Sequence, residues 1–253
     1  MHYFIFPEKD ATIFEASSSL NSGMDEVLEI RKNVSDTGAS VDVSRILIKF
    51  DTTFFQEASS SGLIPQTGSR AAKYFLNLYD ANPKALAASQ SLYAYPVSGS
   101  WDMGTGRSYD NPQTADGCSW KYRYNETNGT LWASGSGAED GAGGVWYSSS
   151  IAPAASASLN HKSQDLKIDV TGTVNAWLNG TIVNDGFLVK RSGSVGNNHP
   201  SASEGNTDRL GSFSFFSSNT HTIFPPTLEV VWDDSTWTTG SLDALTSTNL
   251  EDS

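Results

Sequence analysis

Apolar residues in this chain recur mostly at every second position, in short runs separated by Gly, Ser, Thr and Asn. That period places alternate side chains on opposite faces of an extended backbone, so it predicts strands. The candidates are Tyr3–Phe6, Ala11–Phe14, Glu26–Arg31, Ser44–Phe50, Ala72–Tyr79, Ser91–Val97, Trp120–Tyr124, Leu166–Asp169, Gly186–Lys190, Gly211–Phe216 and Thr227–Trp232. In Ser44–Phe50, Ile46, Ile48 and Phe50 share one face while Arg45, Leu47 and Lys49 share the other. Such a strand covers a core with the first face and meets water or a neighbour with the second. Tyr74, Leu76 and Leu78 make another stripe of the same kind. A helical period occurs over Thr171–Asn179, where Val170, Val174, Trp177 and Leu178 follow i, i+4, i+7, i+8 spacing. Gly180 stands where a left-handed C-terminal cap belongs. The pattern predicts an all-β fold: a single β-sandwich of about ten strands with one short helix, its Trp177 plugging one end.

Two stretches break the pattern. Residues 98–164 are rich in Gly, Ser, Ala, Trp and Tyr and read as a long loop region inserted in a sandwich spanning 1–232. A loop that long in a compact domain points to a binding role. Residues 233–253 are acidic and Ser/Thr-rich, with Trp237, Leu242, Leu245 and Leu250 as spaced apolar points. Alone they bury too little to order themselves. They read as an extended C-terminal arm that docks those side chains on a neighbouring subunit.

At 253 residues the chain fits one large all-β domain that needs no covalent staples. Its single cysteine, Cys118, has no internal partner, and His2, His161, His199 and His221 lack metal-ligand spacing. A formal charge of −12 opposes phosphate backbones, so nucleic acid is not an expected partner. No apolar run approaches the roughly 20 residues that span a bilayer, so membrane insertion is not expected. The opening Met1-His-Tyr-Phe-Ile-Phe-Pro-Glu-Lys9 has no basic region followed by an apolar one, so no signal peptide is expected. A chain made in the cytoplasm but composed for the exterior suggests a virion component released by lysis.

Along this frame runs an ordered series of short signatures: Asp10-Ala-Thr-Ile-Phe-Glu15, Asn21-Ser-Gly23, Ser44-Arg-Ile-Leu-Ile-Lys-Phe-Asp51 and Tyr95-Pro-Val-Ser-Gly-Ser-Trp-Asp102. Then follow Ser119-Trp120, Asp169-Val-Thr171, Ala176-Trp-Leu-Asn179, Gly186-Phe-Leu-Val-Lys190 and Pro226-Thr-Leu-Glu-Val-Val231. Taken in order, they resemble the DNRLRE-type domains, a carbohydrate-binding-module-like family. The resemblance implies a jelly-roll sandwich, structural roles for Trp101 and Trp120, a helix matching Thr171–Asn179, and a binding or assembly module without a catalytic set.

Three kinds of chemistry come into view. Sugar rings pack C–H faces on flat aromatics and need paired donors and acceptors around them. The loop region supplies both, and Trp132, Trp146, Tyr147, Tyr122, Arg123 and Asp102 are the candidate carbohydrate-binding residues, within a wider set that includes Trp101, Tyr109, Trp120 and Tyr124. Asp10, Glu15, Asp25, Asp51 and Asp169 lie at strand ends and are the candidate oxygens for a structural calcium, although no Asp-x-Asp-x-Asp loop is present. No metal ligands and no cofactor are therefore assigned. No nucleophile elbow, phosphate loop or His-Glu-x-x-His motif occurs, so no enzymatic activity is expected. The expectation is a non-enzymatic virion structural protein, of a phage tail, baseplate, neck or capsid decoration. It would oligomerise with other virion subunits and possess some capacity for host-surface adhesion. The rival is a carbohydrate-binding module for cell-surface or algal polysaccharide.

Overall fold

The structure, a computed structural model, describes all residues except 37, 39–40, 83–88, 126–128, 133–137, 140–141, 160–164, 194–203 and 235–253, with backbone only at 138–139. The proposed arm residues Trp237, Leu242, Leu245 and Leu250 lie outside the described residues, as do His161 and His199. In chain order the strands are β1 (His2–Ile5), β2 (Pro7–Phe14), β3 (Val27–Val34), β4 (Val41–Phe50), β5 (Lys73–Leu78), β6 (Gln90–Pro96), β7 (Tyr122–Tyr124) and β8 (Thr130–Leu131). They continue as β9 (Ala138–Glu139), β10 (Trp146–Tyr147), β11 (Ala155–Leu159), β12 (Leu166–Asp169), β13 (Phe187–Lys190), β14 (Gly211–Phe216) and β15 (Thr227–Val231). Helix α1 (Thr53–Ser60) lies between β4 and β5, and α2 (Thr171–Leu178) between β12 and β13.

Two antiparallel sheets face each other. The smaller runs β1-β15-β5-β12, and the larger runs β11-β6-β13-β4-β3-β14 with β2 paired to the second half of β4. Period-2 alternation sends Tyr74, Leu76, Leu78, Leu166, Ile168, Leu228 and Val230 inward from the small sheet. They meet Leu28, Ile30, Ile46, Ile48, Phe50, Leu92, Phe187, Val189 and Phe215 from the large one. The chain is an all-β sandwich, and every strand expected from the alternation is present.

Both helices close the same end, meeting at Tyr74. The Tyr74 amide donates to Thr171 Oγ1 at 2.9 Å, and the Tyr74 ring lies 5.4 Å from Phe55 of α1. Each helix is entered through an aspartate two residues upstream: Thr53 N–H donates to Asp51 Oδ1 at 2.9 Å, and Thr171 N–H to Asp169 Oδ1 at 3.0 Å. These bonds satisfy amides that the helix itself leaves free. Trp177 is buried against Phe187 at 4.7 Å, and Gly180 takes the left-handed φ of +69° expected of a cap. Helix α1 was not expected. Only Phe55 and Ala58 of its residues are buried, too few to print a helical period on the sequence.

The stretch 98–164 requires a correction. Its described residues up to Tyr147 form a third layer with its own apolar core, carrying strands β7 to β10, while β11 joins the large sheet beside β6. Trp101, Cys118, Trp120, Trp132, Val145 and Trp146 pack onto Ala11, Ile13, Val43, Leu47 and Leu188, the outward residues of the large sheet. The second face of β4 therefore meets packed protein rather than water. Arg45 and Lys190, also on that face, are fully buried. Arg45 Nη2 reaches Glu204 Oε2 at 2.7 Å and its Nε reaches Oε1 at 3.2 Å, while Lys190 Nζ lies 3.3 Å from Glu204 Oε2. The guanidinium sits 4.6 Å from the Trp120 ring, and Arg45 Nη1 donates to Gly143 O at 2.6 Å. A Cβ on Gly143 would stand 2.7 Å from that same nitrogen, and its φ of +86° further restricts the position to glycine.

Candidate functional site

The candidate carbohydrate residues divide between the interior and the surface of the third layer. Trp132 is 5% exposed, and its indole N–H donates to Ser119 O at 2.8 Å. Trp146 is 3% exposed, with Lys190 Nζ 4.9 Å from its ring and Tyr95 at 5.2 Å. Both indoles are core, which corrects their assignment as displayed sugar platforms: their faces are already covered. Tyr147 is half-buried against the main core, and its hydroxyl accepts the Val183 amide at 3.4 Å. Tyr122, Arg123 and Asp102 do come together on the outside. The Asp102 amide donates to Arg123 O at 3.1 Å, Lys121 Nζ lies 5.1 Å from the Tyr122 ring, and Arg123 stacks on Tyr124 at 5.4 Å. These contacts make a polar surface built of cation–aromatic pairs.

A groove lies on the outer side of β3 where the third layer ends. Residues Val27, Glu29 and Arg31 alternate outward along β3, while Leu28 and Ile30 enter the core. Phe14, the last residue of β2, forms the floor beside them. The opposite wall is the turn carrying Ser108 and Tyr109. A hollow of about 270 Å³ is lined by Phe14, Asp25, Glu26, Val27, Glu29, Ser108 and Tyr109. A second hollow of about 240 Å³ shares Phe14, Glu29 and Ser108 and extends to Ser17, Leu20 and Arg31, so the two form one groove.

Asn21 anchors the turn. Fully buried, it donates through Nδ2 to Met103 O at 2.7 Å and Cys118 O at 2.8 Å, and its Oδ1 accepts the Gly106 amide at 2.8 Å. Gly104 passes so close that a Cβ there would lie 2.5 Å from Asn21 Oδ1, at a φ of +79°. With the backbone so fixed, Met24 N–H bonds Gly106 O at 2.9 Å and Ser108 N–H bonds Asp25 Oδ1 at 2.9 Å. The rim residue Tyr109 is 73% exposed, and its hydroxyl accepts from Arg107 Nη1 at 3.1 Å. Asp110 receives the Arg107 amide at 2.9 Å, which holds its carboxyl below the usual range.

Burial pushes the Asp25 carboxyl above its ordinary value, against the lowering effect of the Ser108 hydrogen bonds. Arg31 lies 5.2 Å from the Phe14 ring and reaches Asp42 Oδ2 at 3.2 Å and Glu29 Oε2 at 3.9 Å. The groove thus combines the exposed Tyr109 ring at its rim with the carboxylates of Asp25, Glu26 and Glu29, components that hold a small polar ring.

The five acids considered for calcium do not converge. Asp10 accepts from Ser218 N and Oγ, Glu15 from the Val43 amide, Asp25 from Ser108, and Asp51 and Asp169 from the helix entries. Among the described residues no three His, Cys, Asp or Glu side chains are grouped to hold a metal. Sequence reasoning placed Tyr109 among the loop aromatics and Asp25 among the acids but did not join them. The outward triplet Val27, Glu29 and Arg31 was the available signal, and the contact of Ser108 with Asp25 was not readable from spacing. No family model matches the chain, and no curated protein matches it.

Proposed function

We propose that this chain is a non-enzymatic structural protein of a virus particle, serving in a tailed-phage tail, baseplate, neck or capsid decoration. Its sandwich serves assembly, and its Phe14–Tyr109 groove adheres to glycan on a host surface. The observation that carries the adhesive reading is the open groove with Tyr109 at its rim, since a large aromatic so exposed is a common anchor for a sugar face. The ordered resemblance to DNRLRE-type carbohydrate-binding-like domains supports the same chemistry.

Assembly is supported by a second surface. Strand β1 forms one edge of the small sheet, and Tyr3, Phe4 and Phe6 on and beside it are exposed, with Phe54 stacked on Tyr3 at 4.6 Å. Exposed sheet edges recruit further chains unless they are guarded. The non-catalytic reading agrees with where the most perturbed groups sit. Asp10, Cys118 and Arg191 are packed in the interior, and Asp10 and Arg191 are held there by structural hydrogen bonds.

A glycan array probed with the full chain and with Tyr109→Ala tests adhesion. The expected result is a signal that the variant loses while its melting temperature stays unchanged. A folded wild-type chain with no signal on any glycan overturns the adhesive reading. A signal that survives Tyr109→Ala moves the site away from this groove. The rival reading, a free carbohydrate-binding module, uses the same groove but predicts a monomer at all concentrations.

A further inference from the structure

Charge around the groove narrows what it accepts. Asp25, Glu26 and Glu29 stand on its walls, and Arg31 is the one cationic side chain among the described lining residues. That guanidinium is already engaged by the carboxylates of Asp42 at 3.2 Å and Glu29 at 3.9 Å. The lining therefore carries net negative charge, within a chain of formal charge −12. Arg31 also lies over the buried Phe14 ring at 5.2 Å, which ties its charge down further and leaves the carboxylates to face an incoming ligand. An anionic sugar entering here would lose hydration and meet repulsion, whereas an ammonium group would meet attraction from two or three carboxylates.

We propose that the groove selects glycans bearing free amines, of the glucosamine-oligomer type, over their N-acylated counterparts and over uronate polymers. This rests on the glycan-binding reading above and adds the substrate class. The exposed Tyr109 ring holds the sugar irrespective of charge, and the carboxylates supply the preference. Glu26 is the cleanest reporter, because it is exposed while its backbone carbonyl is held by the Ser217 amide and Thr220 Oγ1.

Titration calorimetry of the full chain with glucosamine, N-acetylglucosamine and galacturonate tetramers tests it, in buffer acidic enough to keep the sugar amines charged. The amine tetramer is expected to bind about tenfold more tightly than the acetylated one at low salt, a preference that shrinks severalfold at high salt through screening. Glu26→Gln should lower that preference by about threefold at low salt. Equal affinity for the amine and acetylated tetramers overturns the charge selection and leaves the glycan reading intact. Tightest binding of the galacturonate tetramer likewise overturns the selection. Absence of binding to all three, with the chain folded, overturns both.

Discussion

Asp10 shows how a single buried side chain sets a pH dependence. Its carboxyl is buried on β2, accepts from Ser218 N at 2.7 Å and Ser218 Oγ at 3.0 Å, and is pushed by burial up to about 6 from 3.8. A carboxyl that binds its proton more tightly when folded stabilises the fold fully below the unfolded value of 3.8, and that contribution is lost as pH rises through about 6. A shift of about two units corresponds to roughly 3 kcal/mol. Asp10→Asn keeps both contacts, its carbonyl accepting the amide and its NH₂ donating to the hydroxyl, without the titration. Urea unfolding across this range should show wild type losing on the order of 3 kcal/mol relative to the variant as pH rises. Parallel curves would refute the assignment. Cys118 follows the same physics without consequence for chemistry: fully buried, its thiol is pushed up to about 12 and remains protonated.

At the scale of elements, Trp177 and Glu204 carry opposite lessons about burial. Trp177→Ala removes an indole packed on Phe187 and should cost about 3–5 kcal/mol in chemical denaturation, with glycan binding of the folded fraction unchanged. Trp177→Phe should cost much less, because the indole N–H has no hydrogen-bond partner among the described residues to lose. A Trp177→Ala chain melting with wild type would show that the helix does not close the sandwich. Glu204→Gln should destabilise by about 3–5 kcal/mol, since Arg45 and Lys190 remain buried after their shared carboxylate is gone. Denaturation midpoints close to wild type would show that other groups balance those cations. The strands and α2 were legible because Ile46, Ile48 and Phe50, or Val174 and Trp177, repeat one period against one core. The buried Arg45 and Lys190 were not, since alternation marks them as outward and says nothing of a further layer beyond. The groove was illegible for a related reason: Asp25 and Ser108 are 83 positions apart and meet only through Asn21 and the turn it holds.

At the scale of the whole molecule, charge and apolar edge pull in different directions, and that contrast separates the two surfaces. The Met1 ammonium donates to Trp232 O at 2.5 Å and lies 3.5 Å from Asp234 Oδ1, so Asp234 sits at the start of β1, the strand that carries the exposed aromatics Tyr3 and Phe4. Self-association through that region brings together copies that each carry −12, so screening should favour it, with added salt raising the oligomeric fraction. Binding of a cationic glycan in the groove should respond to salt in the opposite sense. Deleting residues 235–253 leaves the Met1–Trp232 clasp intact and removes Trp237, Leu242, Leu245 and Leu250. Light scattering should then report a monomer with an unchanged melting temperature, whereas the full chain forms an oligomer that strengthens with salt. The deletion should leave glycan affinity as it was, because the groove is built from β2, β3 and the 107–110 turn. A full chain that stays monomeric at every salt concentration would remove the assembly role and leave a sugar-binding sandwich.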